Sequence, residues 1–255
     1  MKSLVLACLI LFSAVNCHSQ KQFRKFSKDE KASIKKYGKA INKKDGNYHV
    51  LIITDAGDMV VKLYNETPLH RDNFIAKVKS GFYDSLMFHR VINNFMIQGG
   101  DPNSKKTLAE QSLGGGSAPG DRIPAEFRTD QGIYHKRGVL AAARDNNPEK
   151  ASSNCQFYIV QRNPWRTSQL DSTIVQRKLE LNEAQKKIYT TLGGTPHLDG
   201  GYTVYGELEL GLTVLDKIAT TKTNKSDRPE TDIRMRMFVL SEPKLKKETT
   251  KKPNP

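Results

Sequence analysis

The sequence contains little cysteine, a single tryptophan and no long apolar run beyond its first residues. Of its three cysteines, Cys8 and Cys17 lie within the first 19 residues, so Cys155 alone remains in the body of the chain. One cysteine excludes a disulfide framework, and we expect Cys155 to be a small buried thiol. The six histidines are scattered, and no cluster of histidine, cysteine and carboxylate has the spacing of metal ligands. We therefore predict no metal site and no cofactor.

The first apolar run covers residues 4–15 and follows Lys2. It is too short to span a bilayer as a helix, and its flanks are typical of a signal peptide. We predict that residues 1–19 direct export to the periplasm or cell envelope. Cys17 lies where a lipoprotein cysteine would lie, although the preceding Ala14-Val15-Asn16 matches that pattern poorly. Two outcomes stay open: a lipid anchor on Cys17, or cleavage just beyond it and release of a soluble protein.

The net charge of +14 is concentrated at the two ends of the chain. Residues 21–44 carry ten Lys or Arg against two carboxylates, and residues 241–255 carry five Lys against two. The body between them is close to neutral, so we predict no nucleic-acid partner. We expect residues 20–46 to form a basic linker or marginal helix and residues 242–255 a disordered basic tail. Either end could touch an anionic membrane surface.

Residues 47–241 have the pattern of one mainly β domain. Eight short apolar segments rich in β-branched residues predict strands at 48–54, 59–64, 86–91, 95–98, 138–142, 156–160, 203–208 and 233–240. Few helices separate them, which favours a closed eight-stranded antiparallel barrel without exposed sheet edges. Two helices, one opening at Thr67-Pro68 and ending at Gly81 and one at 211–220, are predicted to cap it. Apolar residues at helical spacing predict an inserted amphipathic helix around 170–192.

One segment carries the strongest functional signal. Residues 88–101 are Phe-His-Arg-Val-Ile-Asn-Asn-Phe-Met-Ile-Gln-Gly-Gly-Asp. Side chains alternate between the faces of a strand, so polar and apolar groups from two such strands can gather in one groove. The segment resembles the cyclophilin signature, and further blocks at 138–144, 153–159 and 197–206 extend the resemblance over roughly residues 48–240. The resemblance implies a peptidyl-prolyl cis-trans isomerase of the cyclophilin type, and the predicted signal peptide with Cys17 points to a bacterial, exported member of the family.

Roles follow from the resemblance position by position. It implies a catalytic Arg90, a proline pocket of Phe95, Met96, Tyr158 and Leu198, and substrate-backbone binding by Gln98, Ala143 and Gln156. It also implies that the groove rim is formed by Gly115, Arg144, His197 and Tyr202. Three positions depart from the family pattern: Tyr158 replaces a phenylalanine, His197 a tryptophan and Tyr202 a histidine of eukaryotic members. We expect these departures to alter specificity or rate while leaving the arginine in place.

The implied function is faster rotation about Xaa-Pro bonds in exported protein clients, which assists their folding. The guanidinium of Arg90 stays protonated and only donates hydrogen bonds, so it can stabilise a twisted amide whose nitrogen has regained its lone pair. A first alternative is a client-binding chaperone module with little isomerase activity, using the inserted helix as a partner surface. A second is an envelope attachment protein that uses its basic ends. We predict a monomer whose partners are proline-containing polypeptides.

Overall fold

The fold was analysed in a computed structural model, which describes residues 26–42, 45–108 and 111–243. The predicted signal peptide with Cys17 and all but the first two residues of the predicted tail lie outside these ranges. Across the described ranges, no helix is both long enough and apolar enough to cross a bilayer.

Eight strands form one antiparallel sheet. They are β1 (Tyr48–Thr54), β2 (Gly57–Leu63), β3 (Phe88–Ile92), β4 (Met96–Gly99), β5 (Val139–Ala142), β6 (Phe157–Val160), β7 (Val204–Leu210) and β8 (Met235–Ser241). Their order across the sheet is β3-β4-β6-β5-β7-β2-β1-β8. All eight predicted strands are confirmed, with boundaries that differ by at most two residues, because β-branched and apolar residues fill the pleated faces as expected.

The sheet is curled, but the predicted closed barrel is not confirmed. The outer strands β3 and β8 share no continuous ladder. The chain just before each of them meets instead: Met87 and Arg234 form an isolated bridge. The Phe88 amide donates to the Ile233 carbonyl (3.0 Å), and the Met235 amide donates to the Leu86 carbonyl (2.8 Å). The two edges are therefore linked only beside the strand starts.

The core lies inside the curl, where two helices cover the ends of the sheet. Helix α2 (Pro68–Ser80) buries Phe74 and Val78, and helix α5 (Leu212–Ala219) buries Leu215 and Ile218 in the same cluster. Helix α2 ends at Gly81, whose φ of 72° is the left-handed conformation that glycine adopts without strain. Both predicted capping helices are confirmed.

The basic segment before the domain contains a docked helix, α1 (Lys28–Ala40). Ser27 and Glu30 form a capping box at its start, with the Ser27 amide 2.7 Å from the Glu30 carboxylate. Ile34 and Tyr37 pack on residues of β1, β2 and β8 that face away from the core. Burial of this apolar face therefore makes a stable helix of a segment whose sequence predicted only a linker or a marginal one.

The predicted inserted helix is wrong in one respect, since the insert is two helices. They are α3 (Thr167–Arg177) and α4 (Glu183–Thr191). Lys178 ends α3 in the left-handed conformation, and Asn182 starts α4 with a capping box to Gln185. The two helices bury Leu170 and Tyr189 against each other and against Tyr134. The spacing of apolar residues fitted one helix because both helices present their apolar faces to the same neighbours.

Candidate active site

The sheet carries a second apolar cluster on the face opposite the core. In β6, Phe157 and Ile159 belong to the core while Tyr158 and Val160 belong to this outer cluster, as strand alternation requires. Met96 of β4 and Ala141 of β5 lie on the same outer face. These short neighbouring strands therefore present a patch of apolar side chains that helices α2 and α5 do not cover.

The four predicted pocket residues meet on this face. Phe95, Met96, Tyr158 and Leu198 line an open depression of about 190 Å³, and Arg90 and Gln98 stand at its edge. Ala143, Arg144 and Tyr202 complete its wall. The structure thus brings together residues from β3, β4, β6 and the loop before β7, which lie more than a hundred positions apart in the sequence.

Arg90 projects from β3 beside Gln98 of β4, with which it is paired in register. Its side chain is 44% exposed, and its Nε lies 3.5 Å from a carboxylate oxygen of Asp227. Asp227 has a φ of 60°, and its carbonyl accepts a 2.7 Å hydrogen bond from the Val91 amide. An ion pair this exposed contributes little to stability, so its consequence is the direction in which the guanidinium points. No sequence motif marks Asp227.

The two glutamines are joined to each other and to the glycine loop. The side-chain amide of Gln98 donates to the side-chain oxygen of Gln156 (3.1 Å). The side-chain amide of Gln156 in turn donates to the main-chain carbonyls of Gly114 and Gly116 (2.8 Å each). Ala143 lines the groove, but its amide donates to the Gln156 carbonyl and its own carbonyl accepts from Ser153. The polar wall is therefore held in place by its own hydrogen bonds.

Residues 114–117, which include the rim residue Gly115, line a neighbouring depression of about 240 Å³ together with Gln98 and Arg144. The segment is tied down by Asp101, whose carboxylate accepts from the Gly114 amide (2.5 Å) and the Gly116 amide (3.3 Å). A Cβ at Gly116 would come within 2.0 Å of the Asp101 carboxylate, so this position requires glycine. Gly115 thus lies beside the second depression and not in the apolar pocket.

Most of the chain matches a known protein family. The family model described as cyclophilin type peptidyl-prolyl cis-trans isomerase/CLD matches residues 49–239. The chain belongs to the cyclophilin family.

Individual cyclophilins match over most of their length. A Staphylococcus haemolyticus protein, provisionally named a peptidyl-prolyl cis-trans isomerase, is 34% identical over 192 residues, which cover 74% of this chain and 89% of the relative. A protein of Staphylococcus aureus strain USA300 with the same provisional name is 35% identical over 191 residues, again covering 74% and 89%. The crystal structure of a Cryptosporidium parvum cyclophilin-type isomerase aligns with a TM-score of 0.56 and 25% identity, covering 77% of this chain and 99% of that one.

The three departures from the cyclophilin pattern all lie around the pocket. The His197 ring stacks on Phe95 with centroids 6.0 Å apart, and burial lowers the pKa of His197 to about 4. The Tyr202 ring stands edge-on to Tyr158, and the guanidinium of Arg144 lies 4.6 Å above it. The pocket mouth therefore carries a neutral imidazole and a phenol at neutral pH.

His89 precedes the arginine in the cyclophilin signature and is buried beside the groove. It is 4% exposed, and neither ring nitrogen has a hydrogen-bond partner among the described residues. Burial lowers its pKa to about 4. The ring of His89 is therefore a packed, neutral side chain.

Proposed function

We propose that the groove catalyses cis-trans isomerisation of Xaa-Pro bonds in polypeptide clients, with Arg90 as the catalytic residue. The observation that carries the proposal is an exposed guanidinium at the edge of an open apolar pocket. Phe95, Met96 and Leu198 offer a surface for the proline ring. Membership of the cyclophilin family supports the same activity.

The reaction needs no covalent step. Amide resonance sets a barrier of about 18–20 kcal/mol, and twisting the bond restores the lone pair on the prolyl nitrogen. A donor aimed at that nitrogen stabilises the twisted state more than either planar state. An acceleration of about a million-fold requires only about 8 kcal/mol of such differential stabilisation. Arg90 can supply part of it, and a pocket that fixes the proline ring while the preceding residue rotates supplies the orientation.

The substrate backbone is bound by the polar wall of the groove. Gln98 and Gln156 offer side-chain groups there. The main-chain groups of Ala143 are already paired, whereas those of its neighbour Arg144 have no hydrogen-bond partner in the described part of the chain. We therefore place the main-chain contacts to the substrate on Arg144, with Ala143 shaping the groove beside it.

The test compares the protein with its Arg90→Ala variant in a stopped-flow isomerisation assay on Xaa-Pro peptides. Arg166→Ala is the matched control, because Arg166 is exposed and forms no ion pair among the described residues. We expect kcat/KM to fall at least about a hundredfold in Arg90→Ala and to stay unchanged in Arg166→Ala. Equal rates in all three folded proteins would instead favour the client-binding module.

Export and attachment belong to the same proposal. We place the mature protein in the cell envelope, delivered by residues 1–19, with exported polypeptides as clients. Lipid attachment is tested by metabolic labelling with a fatty acid: label that Cys17→Ser abolishes supports an anchor. Absence of label in the exported wild-type protein supports release in soluble form.

Helix α1 supplies a basic surface for an envelope protein. Lys28, Lys31, Lys35 and Lys39 recur at helical spacing opposite the packed face, and none forms an ion pair within the described ranges. Like charges at this spacing repel by about 0.2–0.5 kcal/mol per pair, which an anionic surface would relieve. Helix α1 covers β1, β2 and β8, so contact there leaves the groove open. Salt-sensitive binding to phosphatidylglycerol vesicles, lost when the four lysines become glutamine, is the expected result.

Barrel closure is the finer part of the fold proposal. Hydrogen bonds from the amides of Ser85, Phe88 and Met235 across the two outer edges support a closed barrel. Hydrogen exchange at these amides is expected to be as slow as in β1. Fast exchange at all three would mean an open sheet.

A further inference from the structure

The α3–α4 insert joins two parts of the pocket in the sequence. It begins nine residues after Tyr158 and ends seven residues before Leu198. Its apolar face is anchored by Tyr134, Leu170 and Tyr189, and the Trp165 indole donates to the Gly194 carbonyl (2.8 Å). The insert is therefore packed on the segment that leads into β5, next to the pocket.

A buried chain of hydrogen bonds runs from the insert to the pocket wall. The Tyr189 hydroxyl (2.5 Å) and the side-chain amide of Gln185 (3.2 Å) donate to one carboxylate oxygen of Asp199. The other oxygen accepts from the main-chain amide (2.8 Å) and from Nδ1 (3.0 Å) of His135. Nε2 of His135 lies 3.0 Å from the hydroxyl of Tyr158.

The protons in this chain have only one consistent arrangement with neutral rings. The Asp199 carboxylate only accepts, so Nδ1 of His135 carries the proton and Nε2 accepts from the Tyr158 hydroxyl. Burial raises the pKa of Tyr158 and of Tyr189, so both phenols stay protonated as this arrangement requires. Both tyrosines and His135 are at most 5% exposed, and buried networks of this kind fix side-chain orientation.

Two pocket residues are held by this chain. Leu198 directly precedes Asp199, so fixing the carboxylate fixes the loop that carries Leu198. The Tyr158 ring is held through its hydroxyl, a group that the phenylalanine usual at this position lacks. We propose that the α3–α4 insert is a positioning element of the proline pocket, acting through Tyr189 and Gln185 on Asp199 and through His135 on Tyr158. This inference rests on the pocket assignment proposed above.

The test is a double-mutant cycle of Tyr158→Phe and Tyr189→Phe in the isomerisation assay on the full chain. Each substitution removes one hydroxyl and leaves the ring. A loosened pocket binds the proline ring less well in ground and transition states alike, so we expect KM to rise about three- to tenfold with kcat changed less than about twofold. The double variant is expected to be no worse than the more affected single variant, because both break the same chain.

Tyr134→Phe is the matched control. Tyr134 lies in the same apolar cluster, and its hydroxyl makes no hydrogen bond to any residue that the structure describes. A KM for Tyr189→Phe equal to that of Tyr134→Phe, or effects of the two tyrosines that simply add, would overturn the inference. If Tyr189→Phe does not fold, Gln185→Glu replaces it, because it keeps the capping oxygen and places a second carboxylate against Asp199.

A Phe95→Ala variant separates this inference from the proposed function. If Phe95→Ala raises KM and Tyr189→Phe does not, the pocket assignment stands and the role of the insert is wrong. If Phe95→Ala leaves KM unchanged, the pocket assignment is wrong and the inference falls with it.

Discussion

Glu126 gives the sharpest prediction about what holds the fold together. The start of α2 has no side-chain cap of its own, since Thr67 makes no capping hydrogen bond. The carboxylate of Glu126, 56 residues away from His70, accepts from the amides of Leu69 (3.1 Å) and His70 (3.0 Å) and from Nδ1 of His70 (2.7 Å). A carboxylate at a helix N-terminus is also favoured by the helix dipole.

Replacing Glu126 with alanine removes the acceptor of all three hydrogen bonds, and the two donors of His70 are left buried and unpaired. Losing both hydrogen bonds from buried His70 to this carboxylate costs about 3–5 kcal/mol, at about 1.5–2.5 kcal/mol each. At about 2–4 °C per kcal/mol for a domain of this size, we expect Tm to fall by about 6–20 °C. The measurement is thermal unfolding followed by circular dichroism, with Glu149→Ala as control, because Glu149 is exposed and unpaired in the described chain. A Tm within about 2 °C of wild type would refute this account of α2.

The pH dependence of the unfolding free energy provides a second test of Glu126. Burial alone raises the pKa of Glu126, but hydrogen bonds from the His70 side chain, the His70 amide and the Leu69 amide outweigh it, so the pKa is lowered overall. A carboxyl group whose pKa is lowered by folding stabilises the folded state at pH values above its ordinary pKa. This contribution to stability is lost as the pH falls through the pKa of the folded state. Glu126→Gln should therefore flatten the loss of unfolding free energy in acid.

Three further predictions follow from particular contacts. Burial lowers the pKa of His89 to about 4 in the folded state, against 6.5 in the unfolded chain, so protonation destabilises the fold in acid. The gain in unfolding free energy from His89→Leu should therefore be about 3 kcal/mol larger at pH 4 than at pH 7.5. An equal gain at both pH values would contradict its burial as a neutral ring. Gly116→Ala should lower kcat/KM by displacing Asp101, whereas Gly115→Ala, with open space around its Cβ, should not; equal effects would remove the argument from Asp101. A variant beginning at residue 45 should bind a hydrophobic dye at the uncovered Leu51 and Phe238 yet keep its isomerase rate, since α1 lies away from the groove.

The elements were predictable where local chemistry and burial agree. The helix from Pro68 to Gly81 carries a proline at its first position and a left-handed glycine after its last, so its ends were visible in the sequence. The strands were visible because their inward residues alternate with those of the outer cluster. The insert was predicted as one helix, because the break at Lys178 uses a non-glycine residue that carries no turn signal.

The site divides in the same way. Arg90, Phe95, Met96 and Gln98 lie in one short segment, so a hairpin was enough to bring them together. Asp227 contacts Arg90 from a distant loop, and Tyr189 contacts Asp199 from helix α4. Neither residue belongs to a sequence motif. The pairing of Ala143 with Gln156 depends on strand register, which a single sequence does not specify.

The sequence by itself determined the family resemblance, the strand and helix content and the residues of the signature, because each depends on neighbours in the chain. Only the tertiary structure decided that the sheet edges meet beside β3 and β8, that Glu126 caps α2, and that the insert is tied to Tyr158 through Asp199 and His135. These contacts join groups far apart in the chain, and their geometry is set by how the sheet curls and how side chains pack.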